Sequence, residues 1–181
     1  VTNDDGFYAE GIRALAEALT AVGEVAVIAP DREQSGVARM ISLGRPLRAL
    51  PRGPLRWTVD GSPTDCVYLA VHNLLPRPPD LVVSGINRGP NLADDVTYSG
   101  TVAGAMEAAL LGLRAFAISL DGGAPFDYGP AAELAVRVAA FMLGREWAPR
   151  TMLNVNVPDT DGAPLTGFRW TRGGRRDYGH I

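Results

Sequence analysis

Val25-Ala26-Val27-Ile28-Ala29-Pro30-Asp31 is an unbroken apolar run closed by a proline and a carboxylate. It is short for a helix, and its β-branched residues favour a pleated backbone. With no polar alternation it suits a strand covered on both faces, as in a parallel sheet between helices. The residues before it keep a different period. Ile12, Leu15, Ala16 and Leu19 stand at i, i+3, i+4 and i+7 and form one amphipathic helical face. Ahead of that helix, Val1-Thr2-Asn3-Asp4-Asp5-Gly6 reads as the carboxyl end of a first strand whose opening residues are clipped. Strand, helix and buried strand in succession give an α/β protein with a mostly parallel sheet.

The alternation continues downstream. From Arg32 to Arg56 prolines and arginines break any period, which predicts a long active-site loop or a small hairpin excursion. Ser62-Pro63-Thr64-Asp65 is a helix start, with Ser as N-cap, Pro at N1 and Asp at N3. That helix runs through Cys66, Leu69, Ala70 and Leu74. Leu81-Val82-Val83 is a buried strand followed by a Gly/Asn-rich loop, and Ser99-Gly100-Thr101 opens a helix through Ala105, Ala109 and Leu113. Phe116 to Leu120 reads as a strand, Pro130 to Leu143 as a helix with Leu134, Val138, Phe141 and Met142 inward, and Met152 to Val157 as a late strand. No repeat, linker or low-complexity stretch interrupts the pattern, so 1–181 is expected to be one domain.

A chain of 181 residues that is 46% hydrophobic can bury one substantial core. No apolar stretch has the length of a membrane span and no signal peptide is visible. A net charge of −3 gives no basic footprint for a nucleic-acid polymer. Cys66 is the single cysteine, which excludes an intramolecular disulfide and a cysteine-rich zinc site and points to a cytoplasmic address. The 17 basic residues are all arginine, so chemistry that needs a lysine is excluded. His72 and His180 are the only histidines, so a His-based metal site or a nucleophile–His–Asp relay has little to draw on.

The polar clusters fall at one kind of position. Asp4 and Asp5 follow the first strand, and Asp31, Arg32 and Ser35-Gly36 follow the second. Asn87, Gly89 and Asn91 come after the strand ending at Val83, and Ser99-Gly100-Thr101 begins the next helix. Strand carboxyl ends and helix amino ends share one rim of an α/β sheet, where ligands bind. Two adjacent carboxylates there make a hard, oxygen-rich pocket suited to Mg²⁺ or Mn²⁺. Taken singly, Asp4-Asp5 fits a helix cap equally well, and Ser35-Gly36 a turn. Ser99-Gly100-Thr101 serves as an N-cap or, with its unpaired N–H groups and hydroxyls, as a phosphate cradle that needs no lysine. Cys66 reads as a buried small hydrophobe, and Glu107 as structural.

Together these stretches resemble the SurE (survival protein E) family of metal-dependent 5′-nucleotidases and nucleoside-monophosphate phosphatases. The resemblance rests on Thr2-Asn3-Asp4-Asp5-Gly6, on Pro30-Asp31-Arg32 with Ser35-Gly36, and on Asp60-Gly61-Ser62-Pro63-Thr64-Asp65-Cys66-Val67. Ser84-Gly85-Ile86-Asn87-Arg88-Gly89-Pro90-Asn91 and Asp94-Asp95-Val96-Thr97-Tyr98-Ser99-Gly100-Thr101-Val102 complete it. It implies a Rossmann-like three-layer α/β/α core and one divalent metal ion held by Asp4, Asp5, Ser35 and Asn87. It also implies phosphate contacts from Asn91, Ser99, Gly100 and Thr101, and assembly into a homo-oligomer, dimer or tetramer, through a C-terminal extension that stops short here. Substrates would be nucleoside 5′- or 3′-monophosphates, with short polyphosphate as a side activity. Ala9-Glu10-Gly11 departs from the family's Ala-Pro-Gly at the helix entry.

The mechanism this predicts is hydrolysis by metal-activated water attacking in line, with Asp4 or Asp5 as general base. Donors at Ser99-Gly100-Thr101 and the Asn91 amide would neutralise charge developing on the phosphoryl oxygens. A phosphoaspartyl enzyme or receiver-like domain also places carboxylates after the first strand but normally uses a lysine, which this chain lacks. A non-catalytic nucleotide- or metal-binding module with the same cradle is the alternative.

Overall fold

The computed structural model describes residues 1–175; His180 lies outside them, as does the end of the arginine- and glycine-rich tail. Helix α1 (Glu10–Leu19) leads into strand β1 (Val27–Pro30), then β2 (Ala49–Gly53) and β3 (Arg56–Val59). Helix α2 (Pro63–Leu69) precedes β4 (Leu81–Arg88), helix α3 (Gly100–Leu110), β5 (Arg114–Asp121), helix α4 (Gly129–Leu143) and β6 (Met152–Pro158). The strands form two three-stranded sets, β1-β3-β2 and β4-β5-β6, parallel throughout except for the β2–β3 hairpin.

The first three residues join the two sets. Ile28 N–H donates to Val1 C=O at 3.0 Å on one side. On the other, Thr2 N–H donates to Val83 C=O at 3.0 Å and Gly85 N–H donates to Thr2 C=O at 2.9 Å. Residues 1–3 therefore lie between β1 and β4; from them the chain passes through α1 to β1 on one flank, and it reaches β4 on the other flank from β3 through α2. That is a topological switch point, and Asp4 and Asp5 emerge from its carboxyl end.

Period-2 alternation sorts the core into two layers. Val83 on β4 and Phe116, Ile118 and Leu120 on β5 pack with Leu15 and Leu19 of α1 and Leu134, Val138 and Met142 of α4. Their neighbours Val82, Ala115 and Ala117 face the other way, onto Val67 of α2 and Val102, Ala105 and Ala108 of α3. Phe116 is fully enclosed, worth roughly 3 kcal/mol of apolar burial. The α3 side is built from alanines and glycines, so this helix lies close against the sheet and its amino end reaches the rim.

Several expectations are corrected in detail. Strand β4 does not end at Val83; Ser84, Gly85 and Ile86 are buried and continue it, which puts Asn87 on the strand rather than in a loop. Gly85 makes this possible: its φ is +142° and a Cβ there would stand 2.3 Å from Ile118 C=O. The helix begun at Ser62 has its capping box with Asp65, but becomes a π-helical turn over Ala70–Leu74. Helix α3 stops at Leu110, short of Leu113. Phe141 is half-buried, edge-on to Trp147 with the Arg145 guanidinium over its ring, not inward. The Arg32–Arg56 stretch holds a hairpin strand, as one of its two readings had it, and β3 then enters the sheet beside β1. No helix among the described residues is long and apolar enough to cross a membrane.

Candidate functional site

Asp4 sits on the rim with only 4% of its surface exposed. The amino end of α3 is pressed against it: a Cβ on Gly100 would lie 2.8 Å from Asp4 Cβ and 3.0 Å from its Oδ2. The Thr101 hydroxyl donates to Asp4 Oδ1, and the Thr101 N–H favours the same carboxylate. Ser99 caps α3, its Oγ accepting from Val102 N–H at 3.1 Å. Burial raises the Asp4 pKa; the Thr101 hydrogen bond opposes that shift and the adjacent Asp5 charge adds to it.

Asp5 faces the end of β4. Its Oδ2 accepts from the Arg88 N–H at 3.3 Å and its Oδ1 from Arg88 Nε at 3.2 Å. Burial raises its pKa too, against the stabilising backbone bond and charge of Arg88. Arg88 reaches further, with Nη2 3.5 Å from Glu33 Oε1, and Ser35 Oγ donates to that same oxygen at 2.9 Å. Loop 31–36 is anchored over the pair because Gln34 N–H donates to Asp4 C=O at 2.7 Å and Phe7 N–H to Pro30 C=O at 2.8 Å. Gly6, with φ +98°, lets the chain turn beneath Arg32, where a Cβ would stand 3.1 Å from the Arg32 carbonyl carbon. Asn87 commits its amide nitrogen to Gly89 C=O at 2.8 Å and Arg88 C=O at 3.3 Å, which leaves its oxygen as the free end of the side chain.

Asp5 and Ser35 are thus linked through Arg88 and Glu33, with Asn87 next to Arg88 on β4, while the Asp4 side chain is held separately by Thr101. As a donor set Asp4, Asp5, Asn87 and Ser35 offer two carboxylates, an amide oxygen and a hydroxyl, all hard oxygens of the kind Mg²⁺ and Mn²⁺ accept. Desolvated Asp4 has the neutral Thr101 for a partner and Asp5 has one exposed arginine, so the residues fit such an ion. No group of three or more His, Cys, Asp or Glu side chains suited to a metal exists among the described residues. Any ion here depends on the neutral oxygens as well.

The anion-facing residues are more heavily committed. Thr101 spends its hydroxyl and N–H on Asp4, and Ser99 Oγ is an acceptor for its own helix. Asn91 is buried and donates Nδ2 to Ser119 Oγ at 2.8 Å. Its N–H donates to Asn156 Oδ1 at 2.7 Å, and its C=O accepts from Asn154 Nδ2 at 2.8 Å and Asn156 Nδ2 at 3.1 Å. Ser119, Asn154 and Asn156 did not stand out in the sequence. The signal was present: polar residues at i and i+2 of an otherwise apolar strand share one face. Glu33 and the Arg88–Asp5 pair were likewise missed, since nothing in the sequence links positions 83 residues apart. Cys66 is buried, its thiol pKa pushed well up by that burial, and His72 lies against the Tyr68 ring at a 50° tilt; neither touches this network.

A doubly wound α/β/α sheet with a carboxylate pair at its switch point and a helix amino end against it is the architecture of a nucleotide- or phosphate-handling α/β protein. The particular family follows from comparison. The survival protein SurE family model matches residues 1–180, and this chain belongs to that family. It is 51% identical to the 5′-nucleotidase SurE of Geobacter metallireducens over 179 residues, spanning 98% of this chain and 71% of that protein. The 5′-nucleotidase SurE of Anaeromyxobacter dehalogenans is 53% identical over 182 residues, 99% of this chain and 70% of the relative. The crystal structure of the SurE protein from Aquifex aeolicus superposes with a TM-score of 0.93 at 42% identity, covering 98% of this chain and 73% of that one.

Proposed function

We infer that this chain, as one domain over 1–181, is a divalent-metal-dependent 5′-nucleotidase that releases phosphate from nucleoside monophosphates. The observation that carries the reading is the desolvated Asp4–Asp5 pair at the switch point, with the amino end of α3 against Asp4, Arg88 against Asp5 and loop 31–36 anchored on the Asp4 carbonyl. The shared name of the relatives, 5′-nucleotidase SurE, supports it.

Asp4, Asp5, Asn87 and Ser35 would hold one ion, Mg²⁺ or Mn²⁺. When bound it supplies a Lewis acid for a phosphoryl oxygen and lowers the pKa of water. The remaining work falls to the protein. Thr101 fixes Asp4 and prevents it from rotating away. Asp4 or Asp5 accepts the proton of the attacking water. The Gly100 N–H and the second N–H of the Asn91 amide stabilise charge developing on the phosphoryl oxygens. Homo-oligomerisation, 3′-monophosphate or polyphosphate turnover and a cytoplasmic address go with this reading.

The test is phosphate release from a nucleoside monophosphate panel with EDTA, Mg²⁺ or Mn²⁺. Release that requires the ion and disappears in Asp4→Asn or Asp5→Asn is expected. Nucleotide binding without release, by folded protein under every ion, would replace the hydrolase with a binding module.

A further inference from the structure

We propose that Arg88 is an exchangeable counter-ion, holding the Asp5 carboxylate when no divalent cation is bound and passing to the phosphoryl group of the substrate when one is. The proposal rests on the metal-dependent reading above. The contacts divide Arg88 into a fixed part and a releasable one. Its backbone N–H on Asp5 Oδ2, at 3.3 Å, belongs to the end of β4 and stays. Its guanidinium meets Asp5 Oδ1 through Nε alone, at 3.2 Å, and its tip makes one long contact of 3.5 Å to Glu33. The Arg88 and Glu33 side chains are 49% and 57% exposed, so the guanidinium can leave without opening the core.

A dication on the Asp4–Asp5 pair repels a guanidinium at the same oxygens, because like charges a few ångströms apart interact strongly even at the screened rim. The displaced side chain is anchored one residue from Asn87 and carries planar donors that match phosphoryl oxygens bidentately. With no lysine in the sequence, arginine supplies any side-chain ammonium-like charge at this rim. Glu33, holding Ser35 Oγ at 2.9 Å, gives the guanidinium a resting partner beside a second candidate ligand. The exchange keeps Asp5 paired in both states and brings a phosphate-binding cation forward only when the ion is in place.

The experiment is direct binding to the full chain: Mn²⁺ followed by the electron paramagnetic resonance signal of the free ion, and inorganic phosphate followed calorimetrically at saturating Mn²⁺. Removing the competing charge in Arg88→Gln is expected to tighten Mn²⁺ roughly three- to tenfold and to weaken phosphate about tenfold. Arg88→Lys keeps the charge but loses the fork, so Mn²⁺ affinity stays near wild type while phosphate weakens several-fold. This second variant carries the test if Arg88→Gln does not fold. Unchanged or weaker Mn²⁺ binding by folded Arg88→Gln, or unchanged phosphate binding by either variant, overturns the exchange. Wild-type protein that binds no Mn²⁺ overturns both the exchange and the metal-dependent reading. Binding that responds as stated, without phosphate release from any nucleotide, supports the exchange and removes only the hydrolase.

Discussion

Gly100→Ala isolates how tightly helix α3 is set against Asp4. The added Cβ would meet Asp4 Cβ at 2.8 Å and Oδ2 at 3.0 Å, where ordinary contact begins at 3.4 Å. Relief takes a separation of about half an ångström or more, borne by the Asp4 side chain or by the first turn of α3. Overpacking of this kind costs about 1–3 kcal/mol. Replacing glycine by alanine in the helix offsets about 1 kcal/mol of that. The net loss in urea unfolding is expected to be near 1 kcal/mol, small enough to leave a folded protein. Function should suffer out of proportion, because ångström-scale misplacement at a reacting centre costs about 100-fold. Turnover should therefore fall by about one to two orders of magnitude, with weaker Mn²⁺ binding. Gly104→Ala is the control on the same helix. Its Cβ meets Ser84 Oγ at 3.0 Å and Thr2 Cγ2 at 3.1 Å, away from the carboxylate, so it should lose comparable stability and much less turnover. Gly100→Ala with wild-type turnover and Mn²⁺ affinity would refute the reasoning.

Thr101→Val deletes the hydroxyl that Asp4 accepts, and urea unfolding should show a loss of about 1.5–3 kcal/mol, the range for hydrogen bonds to charged groups. Gly85→Ala combines a φ of +142° with a Cβ 2.3 Å from Ile118 C=O, so thermal unfolding should register a loss of about 3 kcal/mol as β4 and β5 are forced apart. For pH, burial makes both aspartates bind protons more readily when folded than an ordinary aspartate carboxyl does. Their contribution to stability is full below the ordinary carboxylate range and lost as pH rises through their raised native values. Metal-free wild type should thus be less stable at neutral pH than an Asp4→Asn/Asp5→Asn double variant, and the gap should close as pH falls toward the carboxylate range. A pH-independent gap in denaturant midpoints would contradict this, and added Mn²⁺ at neutral pH should reverse it.

The buried parallel strands were legible because they have no polar alternation, and α1 because its apolar residues keep one helical period. The Ser62–Asp65 capping box was legible because capping is local chemistry. Strand β2 was legible only as the hairpin reading of the 32–56 stretch, and β3 beyond Arg56 was not. Their residues, Ala-Leu-Pro-Arg-Gly and Arg-Trp-Thr-Val, are largely exposed on the first and half-exposed on the second, so neither burial nor alternation marks them. The end of β4 was misread because serine, glycine and asparagine favour turns locally, a preference overruled by enclosure between residues 1–3 and β5. In the site, the aspartate pair and Thr101 were visible by type and place. The Arg88–Asp5 and Asn91–Asn156 contacts were not, since they arise only when distant strands meet.

The joining of two strand sets through residues 1–3 has a consequence for dissection of the chain. Asp4, Asp5 and Ser35 come from the half containing β1, β2 and β3, whereas Asn87, Gly100 and Thr101 come from the half containing β4, β5 and β6. Neither half owns the complete proposed site. Cut between Val59 and Ser62, the chain would give two inert fragments whose recovered turnover measures their reassociation, which makes this fold a natural split reporter.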